Sequence, residues 1–293
     1  MPDTKQVFSQ NIIALVYDFD GTLSLEAMQH YGVLPSLDIK PSDFWGSVKE
    51  KRKETRAEEL LVYMHEMIKL ADQKDVKLDR DQFKEHGQTI EFFKGVETWF
   101  GRINEYVASI CEDEDVIVEH YIISAGLREM IEGCSIVDEF REIYACEFAY
   151  DQYGHPEWPR RIVSDTSKTQ YLFRINKGVL DVNESINSHM PLSRRRIPFD
   201  NMIYFGDGDT DVPSMAVVMA NGGHAVALHP PEEINPQKCL DLRAANRIDY
   251  FCPANYSEGS ELDQLVKKTL SVIVSRTNLR RRIFDLPPEG AER

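Results

Sequence analysis

The residues Ile12 to Tyr17 (IIALVY) form a short run with no alternation of polar and apolar positions, and it stops at Asp18-Phe19-Asp20-Gly21-Thr22. A run of this length and character fits a strand buried on both faces, which is the habit of parallel sheets covered by helices. Where such a strand ends in polar residues and glycine, an α/β active site commonly begins. The first twenty or so residues therefore predict a fold class and a place for chemistry.

The pattern changes from about Leu25 to Asp115. Between Glu50 and Lys74, apolar Ala57, Leu60, Leu61, Met64, Met67, Ile68 and Ala71 fall at three- and four-residue steps, which predicts a helix. Ile90 to Ile110 predicts another, with Phe93, Val96, Phe100, Ile103, Val107 and Ile110 on one face. Strand-like runs then return. Val116 to Ile123 ends in Ser124-Ala125-Gly126 and leads to a helix from about Leu127. Glu142 to Tyr150 runs into a turn-rich stretch, Asp151 to Pro159, that suits a hairpin. A helix is expected over 165–176, short strands at 202–205, 225–228 and 248–251, and a helix from Gly259 to about Thr277. Strands alternating with helices imply an α/β protein. The expected architecture is a Rossmann-like, three-layer core with a mainly parallel sheet, formed by residues 1–24 and 115–277. An α-helical cap, 25–114, is inserted after the first strand, and 278–293 is a tail.

Three expected strands end in oxygen-bearing loops: Asp18 to Thr22, Ser124, and Gly206-Asp207-Gly208-Asp209-Thr210-Asp211. A doubly wound sheet brings strand ends to one edge, so Asp18, Asp20, Asp207 and Asp211 can meet there. Carboxylates crowded in this way need a divalent cation or protons, and a hard ion such as Mg²⁺ suits oxygen donors and phosphate. An EF-hand loop starting at Asp207 fails, because Val212 stands where glycine is required and Val218 where glutamate is. No phosphate-binding P-loop, dinucleotide fingerprint or paired-histidine zinc motif competes.

The formal net charge of -15, from 49 acidic and 34 basic residues, argues against a nucleic-acid partner. The runs Arg194-Arg195-Arg196 and Arg280-Arg281-Arg282 are short and read as solvated loop or helix ends rather than polyanion sites. Five cysteines without a C-x-x-C pair, a polar start lacking an apolar h-region, and no apolar run long enough for a membrane span lead us to expect a soluble, cytoplasmic protein.

Asp18-Phe19-Asp20-Gly21-Thr22-Leu23 resembles the first motif, D-x-D-G-T, of the haloacid dehalogenase (HAD) superfamily. Ser124 is similar to its second motif, Lys168 to its third, and Gly206-Asp207 through Asp211 to its acidic fourth; all four occur in family order. A helical insert between motifs one and two resembles the cap of the phosphoserine phosphatase-like branch. The resemblance implies that Asp18 is a nucleophile forming an aspartyl-phosphate, and that Asp20 is the general acid and then base. It implies that Ser124, Ala125, Gly126 and Lys168 bind the transferred phosphoryl group. Mg²⁺ would be held by Asp18, Asp20 through its carbonyl, and Asp207, with Asp211 in support. The implied activity is hydrolysis of a phosphorylated small molecule, with neither nucleic acid nor membrane as partner. A phosphotransferase or phosphomutase of the same family, and a non-catalytic regulatory binding protein keeping the fold, are the alternatives. His30, Tyr31, Phe44 and Trp45 read either as cap core or as pocket lining; Arg52 and Arg56 read as a solvated face, and Trp158 as a packing anchor or a flap.

Overall fold

Strand β1 (Ile12–Tyr17) is buried along its whole length because it lies in the middle of the sheet. A computed structural model describes residues 8–111 and 116–284. Among them, β1, β2 (Ile117–Leu127), β3 (Phe140–Tyr150), β4 (Pro156–Arg161), β5 (Met202–Gly206), β6 (His224–His229) and β7 (Tyr250–Pro253) form one sheet. The strand order is β4-β3-β2-β1-β5-β6-β7, and every pair is parallel except β3 with β4. Helices cover both sides, so the protein is an α/β fold with a Rossmann-like core.

The helices are α1 (Val33–Ser36), α2 (Pro41–Thr55), α3 (Glu59–Lys74), α4 (Arg80–Gly87), α5 (Val96–Ile110), α6 (Arg128–Ile131), α7 (Lys168–Lys177), α8 (Val212–Ala220), α9 (Gln237–Ala244) and α10 (Glu261–Phe284). The helix expected over 50–74 is two. Arg56 turns left-handed at φ 55° and Glu58 is extended, so α2 ends and α3 starts in a new direction while the apolar spacing continues. The helix expected from Ile90 begins only at Val96, after Gly95 at φ 88°, where a Cβ would stand 2.5 Å from the Ser257 nitrogen. Residues 91–93 instead run beside the loop that leaves β1: Leu25 N–H donates to Glu91 O, and Phe93 N–H to Leu23 O.

Helix α5 packs on the sheet rather than with α2 to α4. Trp99 Nε1 donates to Tyr17 Oη of β1, Phe100 packs edge-on against His120 of β2, and Tyr106 and Arg102 bond to Ser271 and Asp263 of α10. The expected hairpin is present, with the Asp151 carboxylate accepting from the N–H groups of Tyr153 and His155. Trp158 stands 56% exposed on the edge strand β4 rather than buried as core. Strand β2 continues through Ser124-Ala125-Gly126 with a register irregularity, and α7 begins at Lys168 rather than at residue 165. Helix α10 runs seven residues beyond the expected end at Thr277, because Arg276 and Arg280 bond to Asp200 and no proline interrupts it. The expected domain boundary at 114/115 and the tail from 285 onward lie outside the described residues. No helix among the described residues is long and apolar enough to cross a membrane.

Candidate active site

Asp18 follows β1 directly and stays in the sheet, its N–H donating to Phe205 O of β5 at 2.9 Å. That bond fixes where the carboxylate points. The chain then turns through Gly21 at φ 73°, where a Cβ would lie 2.7 Å from Asp207 Oδ2. Only glycine permits both the left-handed turn and this approach. Asp207 follows β5, and Asp211 closes a single 3₁₀ turn over 209–211. Lys168 opens α7 and is wholly buried.

These residues converge although they come from three separate parts of the chain. Lys168 Nζ lies 3.0 Å from Asp18 Oδ1 and 2.8 Å from Asp211 Oδ1. Tyr204 Oη donates to the same Asp211 Oδ1 at 2.7 Å, and Gly208 N–H reaches Asp211 Oδ2 at 3.4 Å. Asp18, Asp207 and Asp211 each present a carboxylate oxygen within 4.8 Å of the others. Burial pushes the Asp18 carboxyl well above the usual range; Asp211 adds to the rise and Lys168 opposes it. Burial, with the Asp211 charge, raises Asp207 to about 6, against the pull of Lys238. Asp20 is raised to about 7, again chiefly by burial, although its Oδ1 accepts from Met28 N–H at 2.9 Å.

One buried lysine does not balance this many carboxylates. The surplus is negative, the donors are all oxygens, and the group is out of bulk water. That chemistry fits a hard divalent cation such as Mg²⁺ better than zinc or a softer metal.

Ser124 is buried in β2, and its Oγ accepts from Gly126 N–H at 3.0 Å. Gly126 sits over Asp20: a Cβ there would lie 3.2 Å from Asp20 Oδ2 and 2.1 Å from Met28 Cε. Ala125 O accepts from Tyr63 Oη of α3 at 3.1 Å, so the helical insert touches the Ser124 loop. All the residues expected from the sequence, Asp18, Asp20, Ser124, Ala125, Gly126, Lys168, Asp207 and Asp211, therefore lie at one edge of the sheet.

Four neighbours escaped sequence reasoning: Met28, Tyr63, Tyr204 and Lys238. Tyr204 left a signal, since a phenol inside a fully buried strand must find an acceptor. Met28 and Lys238 left none, because they reach the site only through the path of the chain. Of the aromatic residues near the start of the insert, Phe44 is core, and Trp45 Nε1 donates to His30 Nε2 at 2.8 Å. With Nε2 accepting, His30 Nδ1–H donates to Glu26 Oε2 at 2.9 Å. Tyr31 Oη accepts from Glu26 N–H, and Arg52 pairs with Glu59 on an exposed face.

No family model matches the sequence. An uncharacterized protein of Borreliella burgdorferi is 29% identical over 290 residues, covering 90% of this chain and 99% of its own length. Among solved structures, a HAD-family hydrolase from Salmonella enterica serovar Typhi superimposes with a TM-score of 0.56 at 12% identity, over 89% of this chain and 71% of that one. A phospho-aspartyl intermediate analogue of phosphoserine phosphatase gives 0.54 at 12% identity, over 88% and 99%. A substrate-bound phosphoserine phosphatase gives 0.53 at 12% identity, over 87% and 97%. The fold of this chain is similar to that of these HAD-family hydrolase and phosphoserine phosphatase structures.

Proposed function

We propose that the protein is a Mg²⁺-dependent phosphatase that hydrolyses a small-molecule phosphate monoester through an aspartyl-phosphate. The observation that carries this reading is the meeting of Asp18, Asp207 and Asp211 around Lys168, with Asp20 alongside. An Asp18 oxygen attacks phosphorus in line as the bond to the leaving oxygen breaks. Asp20, with a carboxyl raised to about 7, is partly protonated near neutral pH and gives its proton to that oxygen. The resulting Asp20 carboxylate then takes a proton from water. The hydroxyl attacks phosphorus, the bond to Asp18 breaks, and inorganic phosphate leaves.

Asp18 must be ionised to attack, yet burial favours its neutral form. Lys168 counters this and faces the charge that develops on the transferring group. Ser124 donates its hydroxyl to a phosphoryl oxygen, with Ala125 and Gly126 shaping the same pocket. Mg²⁺ would be held by the Asp18 and Asp207 carboxylates and the Asp20 carbonyl, with Asp211 orienting Lys168; when bound, the ion neutralises charge between two anions. Helices α2 to α4 serve as the substrate-enclosing cap, reaching the site through Tyr63, while α5 belongs to the core.

Phosphate release across a panel of phosphorylated metabolites, with Mg²⁺ and with EDTA, tests the reading. Mg²⁺-dependent release to water that disappears in Asp18→Asn is expected. Turnover only with a second acceptor would replace hydrolysis by phosphoryl transfer, and full activity in Asp18→Asn would remove the nucleophile.

A further inference from the structure

The two arginine runs, distant in sequence, meet in space. Arg195 and Arg280 line one cavity of about 400 Å³, together with Ser193 and Asn176. Gln10, just before β1, and Asp200, just before β5, also line it, so the cavity lies at the edge of the sheet opposite Asp18. The six residues of β1 put roughly 20 Å between the two edges at the usual strand rise.

Cations outnumber acids there. Arg276 and Arg280 both bond to Asp200, the one carboxylate among the described residues that line the cavity. Arg196 turns away to pair with Glu119. Among the described residues Arg195 meets only neutral acceptors, Asn176 Oδ1 at 3.2 Å and Met190 O at 3.5 Å, so its charge has no counter-ion among them. In a chain of net charge -15, this is a local positive centre built around a concavity. A guanidinium fork matches the oxygens of a phosphoryl group, and the cavity volume suits a small ligand.

The geometry points to a second, non-catalytic site in which Arg195, with Ser193 lining the same cavity, binds a phosphoryl group. It does not depend on the hydrolytic reading, because none of its residues touches the Asp18 cluster. The phosphoryl group belongs either to a soluble polyphosphate or to a phospholipid headgroup.

Calorimetric titration of the full chain with tripolyphosphate in EDTA tests it, with Lys168→Met as a control that disables the other phosphate-facing edge. Binding is expected to persist in Lys168→Met and to weaken about tenfold in Arg195→Gln, the loss of one charge-assisted contact. Arg195→Lys, which keeps the charge but not the fork, should fall between. Ser193→Ala, at an exposed loop position, should weaken binding about threefold and guards against misfolding of the arginine variants. Arg195-dependent sedimentation with phosphatidic acid vesicles, without binding of free tripolyphosphate, assigns the headgroup as the source. Equal affinity in Arg195→Gln and the unaltered protein, loss of binding in Lys168→Met alone, or no Arg195-dependent binding to either probe overturns the site.

Discussion

The two edges of the central sheet carry opposite charge surpluses, and the surpluses are handled differently. At one edge Asp18, Asp20, Asp207 and Asp211 gather around Lys168; at the other Arg276 and Arg280 pair with Asp200, and Arg195 lines the same cavity. Lys168 and Asp211 are wholly buried, whereas the Arg280, Arg276 and Asp200 side chains keep 34%, 31% and 18% of their exposure. Water screens the arginine edge, so its imbalance is inexpensive. It cannot screen the aspartate edge. There burial, with the neighbouring carboxylates adding to it, drives Asp20 and Asp207 towards neutrality. Burial, more than composition, separates a reactive cluster from a merely charged one.

The contrast breaks most visibly at Asp18. Asp18→Asn should lower phosphate release at least about a thousandfold while leaving the fold intact, as judged by circular dichroism. Lys168→Met should lower kcat/KM about a hundredfold. It should also destabilise the protein by about 3 kcal/mol in urea melts, because Asp18 and Asp211 are left buried without their cation. Adding Asp18→Asn to Lys168→Met should recover part of that stability, and simple additivity would mean the ion pairs are not coupled.

The pH response sharpens the comparison. Asp20 and Asp207 are raised from 3.8 to about 7 and about 6, so the folded metal-free protein holds protons that the unfolded chain has released. Their contribution is full below about pH 4 and is lost as pH rises through 6 and 7. In EDTA the melting temperature should therefore fall by several degrees between pH 5 and pH 8, less so in Asp20→Asn, and Mg²⁺ should restore it at pH 8. A Tm that rises over that interval in EDTA would contradict the shifts. The smallest effect belongs to the screened edge: Asp200→Asn should cost about 0.5–1 kcal/mol in urea melts and leave kcat unchanged.

The strands and their acidic ends were legible because both signals are local. An apolar run, a glycine and a carboxylate lie within a few residues at Ile12 to Gly21 and at Met202 to Asp211. The break at Arg56 was not legible, since periodicity records which face is apolar and not where the axis turns. Nor was the placement of α5, whose amphipathic pattern is the same whether it covers a sheet or another helix. The convergence of Arg195 with Arg280 was hidden for a different reason. It depends on α10 returning to the start of β5, a contact between segments that share no pattern.

The central place of β1 also sets an order of assembly. Its pairing with β2 joins Ile12 to Ile117, and its pairing with β5 joins Ala14 to Met202. During synthesis, β1 thus keeps one hydrogen-bonding edge open until almost two hundred further residues have followed. Closing so long a loop is slow, and an open apolar strand invites wrong partners meanwhile. The strand that presents Asp18 is made long before the strand that encloses it.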